Sequence, residues 1–328
     1  MEQVSEVNTV YIRAPRQKDL AAICEMLNAC DVADCGMPDS PLDQLRGDWQ
    51  DRRFHLQTDA WLAVAPDGRI AGYAAVNQRL YAYMRADVRI HPAFRGQGIG
   101  SHLLSLAEQR AHQFVPLAPA GARVTVQTWH HTGNQQARQL LEAAGFAGIR
   151  LTRVMHIELQ EEPSQPVWPE GLILRPFVAE RDAHAVFEAV EEAFGDHWGH
   201  LPQTFEDWSE DQIANRDSYD PSLWFLAWAG EHLAGVSLCG FYMESGIVNT
   251  LGVRRPWRKC GLGMALLRHS FAEFYRRGTS QVGLGVDAQN LTGATRLYER
   301  AGMSVLMGYD LYEKELRPGV ELRVQTSA

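Results

Sequence analysis

The chain has 328 residues, 45% of them hydrophobic and 22% charged, with a formal net charge of −9 at neutral pH. That length suits two domains of ordinary size, and the balance is that of a globular protein. The acidity argues against a nucleic-acid backbone as partner, and no apolar stretch approaches the roughly 20 residues of a membrane span. The opening residues, Met1 to Glu6, lack the basic and apolar regions of a secretory leader. The five cysteines (Cys24, Cys30, Cys35, Cys239 and Cys260) are odd in number and lack metal-type spacing, so reduced thiols in the cytoplasm are expected.

A first strand over Val10–Arg13 leads to Asp19, whose side chain suits the cap of the next helix. From Cys30 to Arg53 no clean period appears. Trp61–Val64 and Ile70–Tyr73 flank a polar, glycine-bearing turn, as a hairpin requires. The apolar Val88–Ile90 then enters Arg95-Gly96-Gln97-Gly98-Ile99-Gly100, and a helical pattern leaves it. Val124–Val126 reads as another strand, with His130 and His131 as exposed polar sequence behind it. Gly145 suits the position just past a helix, before a strand starting at Phe146.

The stretch Glu161–Pro169, with three prolines in nine residues, reads as a linker. After it the series recurs. Leu172–Arg175 precedes Asp182, and Phe225–Trp228 precedes Leu233–Val236. Leu251–Val253 enters Arg258-Lys259-Cys260-Gly261-Leu262-Gly263, followed by the helical Met264–Leu267, by Val282–Val286, and by Gly302 with Met303. Phe194 to Pro221, rich in Trp, His and acids, again lacks a clean pattern. The order β-α-α-β-β-β-α-β-α-β, twice over, predicts an α/β chain of two tandem domains. Residues 1–160 and 171–328 form them, joined by a linker at 161–170.

The two glycine loops carry the chemistry. Where a strand turns into a helix, several backbone N–H groups have no intrahelical partner and point outward. Glycine removes the Cβ that would keep a phosphate away from the main chain, and the helix dipole favours an anion there. Arg258 and Lys259 add positive charge to Cys260, Gly261, Leu262, Gly263 and Met264, and Arg95 does so for Gly96, Gln97, Gly98 and Gly100. Each loop reads as a pyrophosphate cradle. Neither is a P-loop, since no G-K-[ST] follows, and neither has the dinucleotide spacing. Gly283 and Gly285 lie inside a strand-like run and take no such role.

The pattern R-x-x-G-x-G after a short apolar strand resembles the acetyl-CoA loop of the GNAT N-acetyltransferase superfamily. The resemblance covers most of the chain and implies two GNAT-like domains, each a mixed, mostly antiparallel sheet flanked by helices. It implies acetyl-CoA as acyl donor, a primary amine of a small molecule or peptide as acceptor, and direct transfer in a ternary complex. By the same resemblance Leu251 and Val253 line the gap that takes the pantetheine arm. Asn290 and Tyr298, with Gly302, look like the superfamily's N-x(7)-Y-x(3)-G pattern. Asn290 would then bind the arm and Tyr298 would protonate the departing thiolate, a contribution of typically ~10²–10⁴-fold. In the first domain Asn134 stands one place out of register, and Leu141 occupies the tyrosine's position. That domain is therefore expected to keep cofactor-binding geometry without the acid.

No carboxylate lies on the strand before the second loop. Glu244, just upstream, and Asp196, His197 and His200, with Trp198 beside them, are the candidates on the substrate side. His197 and His200 lack a third ligand in pattern, so no metal is expected. Cys260 is read as filling space. A catalytically silent acyl-CoA-binding module is the alternative from another functional class.

Overall fold

The computed structural model describes residues 6–7, 10–214, 219–289 and 293–324. They divide into two compact units, residues 1–151 with 309–322 and residues 152–308 with 323–328. The first unit begins with β1 (Glu6–Val7) and β2 (Val10–Arg13), then α1 (Leu20–Cys35), α2 (Leu42–Gln50) and the single turn α3 (Leu56–Asp59). The strands β3 (Ala60–Val64), β4 (Ile70–Arg79) and β5 (Tyr83–Ile90) follow, then α4 (Ile99–Phe114), β6 (Val124–His131) and α5 (Gln135–Ala143). β7 (Ala147–Glu158) begins in this unit and ends in the second.

The second unit repeats the order with β8 (Leu172–Pro176), α6 (Ala179–Phe194), α7 (Phe205–Ser209), β9 (Trp224–Ala229), β10 (His232–Tyr242) and β11 (Ser245–Val253). It continues with α8 (Leu262–Arg276), β12 (Gln281–Asp287), α9 (Ala294–Arg300) and β13 (Ser304–Arg317). In each unit one pair of strands is parallel, β5 with β6 and β11 with β12, whereas β1 to β5 in the first unit and β8 to β11 in the second pair antiparallel in sequence order. This is the mixed, mostly antiparallel α/β architecture expected from the sequence.

Helix periodicity sets which faces are covered. Ile99, Leu103, Leu104, Ala107, Ala111 and Phe114 of α4 form one buried stripe, and Leu262, Ala265, Leu266, Phe271 and Phe274 of α8 form its counterpart. Gly145 and Gly302, just past α5 and α9, adopt left-handed φ of 84° and 96°, the helix-ending conformation that disfavours any other residue. Asp19 and Asp182 do not cap in the expected way. Their carboxylates accept the backbone N–H of Arg16 and Val178, three and four residues earlier, and also hold Arg13 and Arg181.

The last strands are exchanged between the repeats. Thr152–Glu158 of β7 pairs with β12 from Asp287 back to Gln281, inside the second unit. The segment Tyr309–Arg317 of β13 pairs with β6 from His131 back to Val124, inside the first. Arg123 clasps this segment through Glu313 and Glu315, both at 2.7 Å, and the chain just beyond it through Glu321 at 3.0 Å. Arg317 reaches back to the carbonyls of Val115, Pro119 and Ala122 at 2.7–3.1 Å. The proline-rich stretch 161–169 lies wholly within the second unit. Strand pairing, which composition does not encode, sets the division.

One reading of the sequence is corrected here. His130 and His131 are not exposed polar residues but lie buried within β6. The strand runs further than the apolar residues at 124–126 indicate, because Tyr312 and Tyr309 cover the two imidazoles at ring distances of 5.1 and 4.5 Å.

Candidate active site

β11 and β12 are paired in parallel only at Gly246 with Val282 and Ile247 with Gly283, although they continue to Val253 and Asp287. Beyond Ile247 they diverge, and a gap opens toward the glycine loop. β5 and β6 do the same, pairing from Tyr83 to Arg85 and then separating. A second feature belongs to the second unit alone. The ladder between β10 and β11 slips by one residue between Leu238 and Cys239, making Asn249 the extra residue, whereas β4 and β5 pair without a slip. Such a bulge bends the strand and re-aims its backbone groups.

Each loop leaves its strand through one 3₁₀ turn, Arg255–Trp257 in the second unit and Pro92–Phe94 in the first. Gly261, at φ 96°, stands at the start of α8, and Gly98, at φ 80°, at the start of α4; no side chain caps either helix. The first-turn amides of Leu262, Gly263 and Met264 are therefore left as donors. A Cβ on Gly261 or Gly98 would meet nothing within 4 Å, so the surface in front of both turns is open. Lys259 adopts the left-handed φ of 65° that Gly96 holds at 76° in the other loop.

The loop arginines take a different position from the one their charge suggests. Arg258 donates Nε to the Val253 carbonyl at 3.1 Å and Nη2 to the Ala193 carbonyl at 3.2 Å. Arg95 bonds the Ile90 carbonyl at 3.2 Å and Asp34 at 2.7 and 3.1 Å. Both pin the loop to its own strand and to the first long helix of its unit, α1 or α6. Lys259 stays exposed in the turn. The Cys260 thiol is exposed rather than space-filling and points to the Trp257 carbonyl at 2.9 Å.

Tyr298 lies on α9 in the core that contains Leu262, Leu266 and Val286, with Leu251 and Val253 packed against it. It is 8% exposed, and burial pushes its hydroxyl up to about 12. A group held so far above neutral pH keeps its proton. The hydroxyl makes no hydrogen bond to a described residue. Its neighbour Leu297 rests on the first turn of α8, 3.5 Å from where a Cβ on Gly263 would stand. Asn290 lies outside the described residues.

The substrate-side candidates separate. Glu244 sits in the exposed turn between β10 and β11, at the opposite end of β11 from the cradle. Asp196 is ion-paired with Arg255, and His200 lies 3.2 Å from Glu191. Trp198 lies under the Arg323 guanidinium at 5.8 Å. His197 is half-buried against the Phe194 ring, with centroids 4.7 Å apart. Among the described residues no group of three His, Cys, Asp or Glu is placed to hold a metal ion.

The first unit differs where its strands diverge. Asp31 of α1 accepts Arg89 of β5 and, at 3.4 Å, His131 of β6 on one oxygen. Its other oxygen accepts the Ser40 hydroxyl at 2.7 Å and the Asp39 amide at 3.1 Å. Burial pushes Asp31 up, but His131, Arg89 and Ser40 outweigh it and hold the carboxyl at about 2. This buried charge cluster bridges the separating strands. Sequence reading missed it, although an arginine in the apolar run 88–90 is a visible signal. Asn134 is occupied as the cap of α5, accepting from Ala137 N at 2.9 Å and donating to Asp34 at 2.8 Å. Leu141 is buried in the core, in the place corresponding to Tyr298.

Each half of the chain is thus an α/β unit in which a diverging strand leads to a glycine turn and an uncapped helix. The pattern of the Acetyltransferase (GNAT) family matches residues 20–146 and 183–303, and the chain belongs to that family as a tandem-domain N-acetyltransferase. It is 33% identical over 280 residues to the mycothiol acetyltransferase of Streptomyces scabiei, covering 83% of this chain and 82% of that protein. With the mycothiol acetyltransferase of Catenulispora acidiphila it shares 28% identity, over 89% and 94% of the two chains. Among solved structures it resembles a GCN5-related N-acetyltransferase from Sphaerobacter thermophilus, with TM-score 0.86, 41% identity and coverage of 97% and 99%. A tandem GNAT protein from the clavulanic acid biosynthesis pathway has the same fold at TM-score 0.73 and 15% identity, over 95% and 100% of the chains.

Proposed function

We propose that the second unit transfers an acetyl group directly from acetyl-CoA to the primary amine of a small molecule, in a ternary complex and without a metal. One observation supports this reading: β11 parts from β12 beyond Ile247 on its way to the glycine loop, and Tyr298 lies in the core that Leu251 and Val253 of that strand pack against. The amides of Leu262, Gly263 and Met264 hold the pyrophosphate, with Lys259 adding charge. Arg258 fixes the loop. Leu251 and Val253 present backbone along the gap to the pantetheine arm, and Tyr298 gives its proton to the sulfur as the C–S bond breaks.

The first unit is silent in transfer. It keeps a cradle at Gly96, Gln97, Gly98 and Gly100, but it has Leu141 for the acid and a charge cluster across the acceptor side. The free thiols suit a reducing compartment such as the cytoplasm, and no helix among the described residues is long and apolar enough to cross a membrane. The mycothiol acetyltransferases among its relatives make the mycothiol precursor amine the first acceptor to try. β11 itself carries no carboxylate from Ser245 to Val253, and so leaves the class of amine wider.

The test has two parts. Calorimetric titration with acetyl-CoA is expected to give binding that EDTA leaves unchanged. A panel of amines, the mycothiol precursor among them, is expected to yield an acetylated product by mass spectrometry. Binding with no product from any amine would make the chain a silent acyl-CoA-binding module.

A further inference from the structure

We infer that His197 is the general base that takes the proton from the acceptor amine, in the transfer reaction proposed above. The end of α6 packs directly on β11: a Cβ on Gly252 would stand 3.2 Å from Ala193 Cβ and 3.4 Å from Phe194 Cε2. The Phe194 ring meets the His197 ring edge-on, and the His197 backbone N–H bonds the Phe194 carbonyl at 2.8 Å. Arg258, behind the cradle, and Asp287, at the end of β12, both act on the imidazole by charge. His197 therefore stands beside the open ends of the two strands whose divergence makes the gap.

The other proton acceptors on this face are engaged. Glu192 holds the Arg254 guanidinium at 2.6 Å and the Arg255 amide at 3.0 Å. Asp196 holds Arg255, and Glu191 takes His200 at 3.2 Å and Gln203 at 3.4 Å. Asp287 accepts the Gln289 amide at 2.9 Å. The His197 ring makes no hydrogen bond to a described residue and is open enough to meet solvent. Burial first, then the charges of Arg258 and His200, lower its pKa from the ordinary value, against the opposing pull of Asp196 and Asp287. At neutral pH the imidazole is thus uncharged and able to accept a proton.

The protons balance as follows. His197 removes one proton from the ammonium form of the acceptor. The freed nitrogen attacks the thioester carbonyl carbon, and the C–S bond breaks as Tyr298 protonates the sulfur. The nitrogen's second proton returns to Tyr298 through water, and His197 passes its own to solvent.

The experiment uses the full-length chain, an amine turned over by the wild type, and the variants His197→Gln and His197→Ala. His197→Gln is expected to lose about 10²-fold in kcat/KM and the acid limb of the pH–rate profile, while acetyl-CoA affinity by calorimetry stays within about twofold. Added imidazole should restore His197→Ala at least about tenfold. Near-normal kcat/KM with the acid limb intact overturns the inference, and so does a loss that imidazole does not relieve. A wild-type chain that binds acetyl-CoA but acetylates no amine overturns the transfer reading itself, and with it this role.

Discussion

Tyr312 lies in the last strand of the second repeat, yet its truncation should loosen the first unit. It is 5% exposed and packs with Leu141 and Phe146 in the first unit's core. Its ring lies 5.1 Å from His130, and its hydroxyl 3.3 Å from Glu142. Cutting a buried aromatic to alanine costs about 3–5 kcal/mol, as lost transfer energy plus the cavity left behind. That is a large share of the roughly 5–15 kcal/mol that holds a domain. At 1.4 kcal/mol per decade, even the lower figure raises opening about 100-fold. Native-state hydrogen exchange read by mass spectrometry resolves the location. In Tyr312→Ala, peptides from β6 and α5 should exchange about 100-fold faster, while those from α8 and β12 hold their protection. Acceleration confined to α8 and β12, or none in β6, would refute the strand exchange.

Cleavage at a protease site inserted within residues 161–169 should leave both pieces together on gel filtration, because each carries a strand the other needs; pieces that separate without denaturant would contradict this. Tyr298→Phe should lower kcat about 10²-fold with acetyl-CoA affinity and melting temperature unchanged, since the hydroxyl leaves no described hydrogen-bond partner behind; unaltered kcat removes it from the mechanism. Gly263→Val should abolish acetylation while Gly100→Val, in a chain still folded by circular dichroism, keeps most of it. The second variant is the more crowded, with Leu140 3.1 Å from the new Cβ against 3.5 Å for Leu297 at Gly263, so loss of activity from Gly100→Val in a folded chain would assign the chemistry to the first unit. Lys259→Gly relieves a left-handed residue worth about 1–2 kcal/mol against a smaller gain in unfolded-chain freedom; a slight rise in urea midpoint is expected, and a clear fall would mean the lysine side chain holds the loop.

The repeat was legible because it rests on local signals. The glycine loops, the helix stripes and the glycines past α5 and α9 each follow from geometry that one residue type satisfies. What was illegible depends on pairing between distant strands. The exchange of β7 and β13, the slip at Asn249 and the burial of His130 and His131 are set by partners far away in the chain. Arg258 shows the same limit at the site. Its charge and position read as a phosphate contact, but two carbonyl acceptors, on Val253 and Ala193, lie within its reach and fix it behind the loop.

The two cradles then differ at corresponding positions, and the differences are mutually dependent. Arg95 and Arg258 bond the last carbonyls of β5 and β11, so Arg89 and Gly252 correspond, each one residue earlier. Arginine at that place needs a buried counter-charge, because an unpaired charge there would cost several kcal/mol. Asp31 supplies it, with His131 of β6 on the same carboxylate oxygen at 3.4 Å, so the cluster joins β5 and β6 beyond their paired residues. Glycine needs no such partner and lets Ala193 and Phe194 at the end of α6 approach within van der Waals contact, with His197 against the Phe194 ring. The repeats thus differ at this place: the first unit carries the Arg89–Asp31 ion pair, and the second the close contact of Gly252 with Ala193 and Phe194.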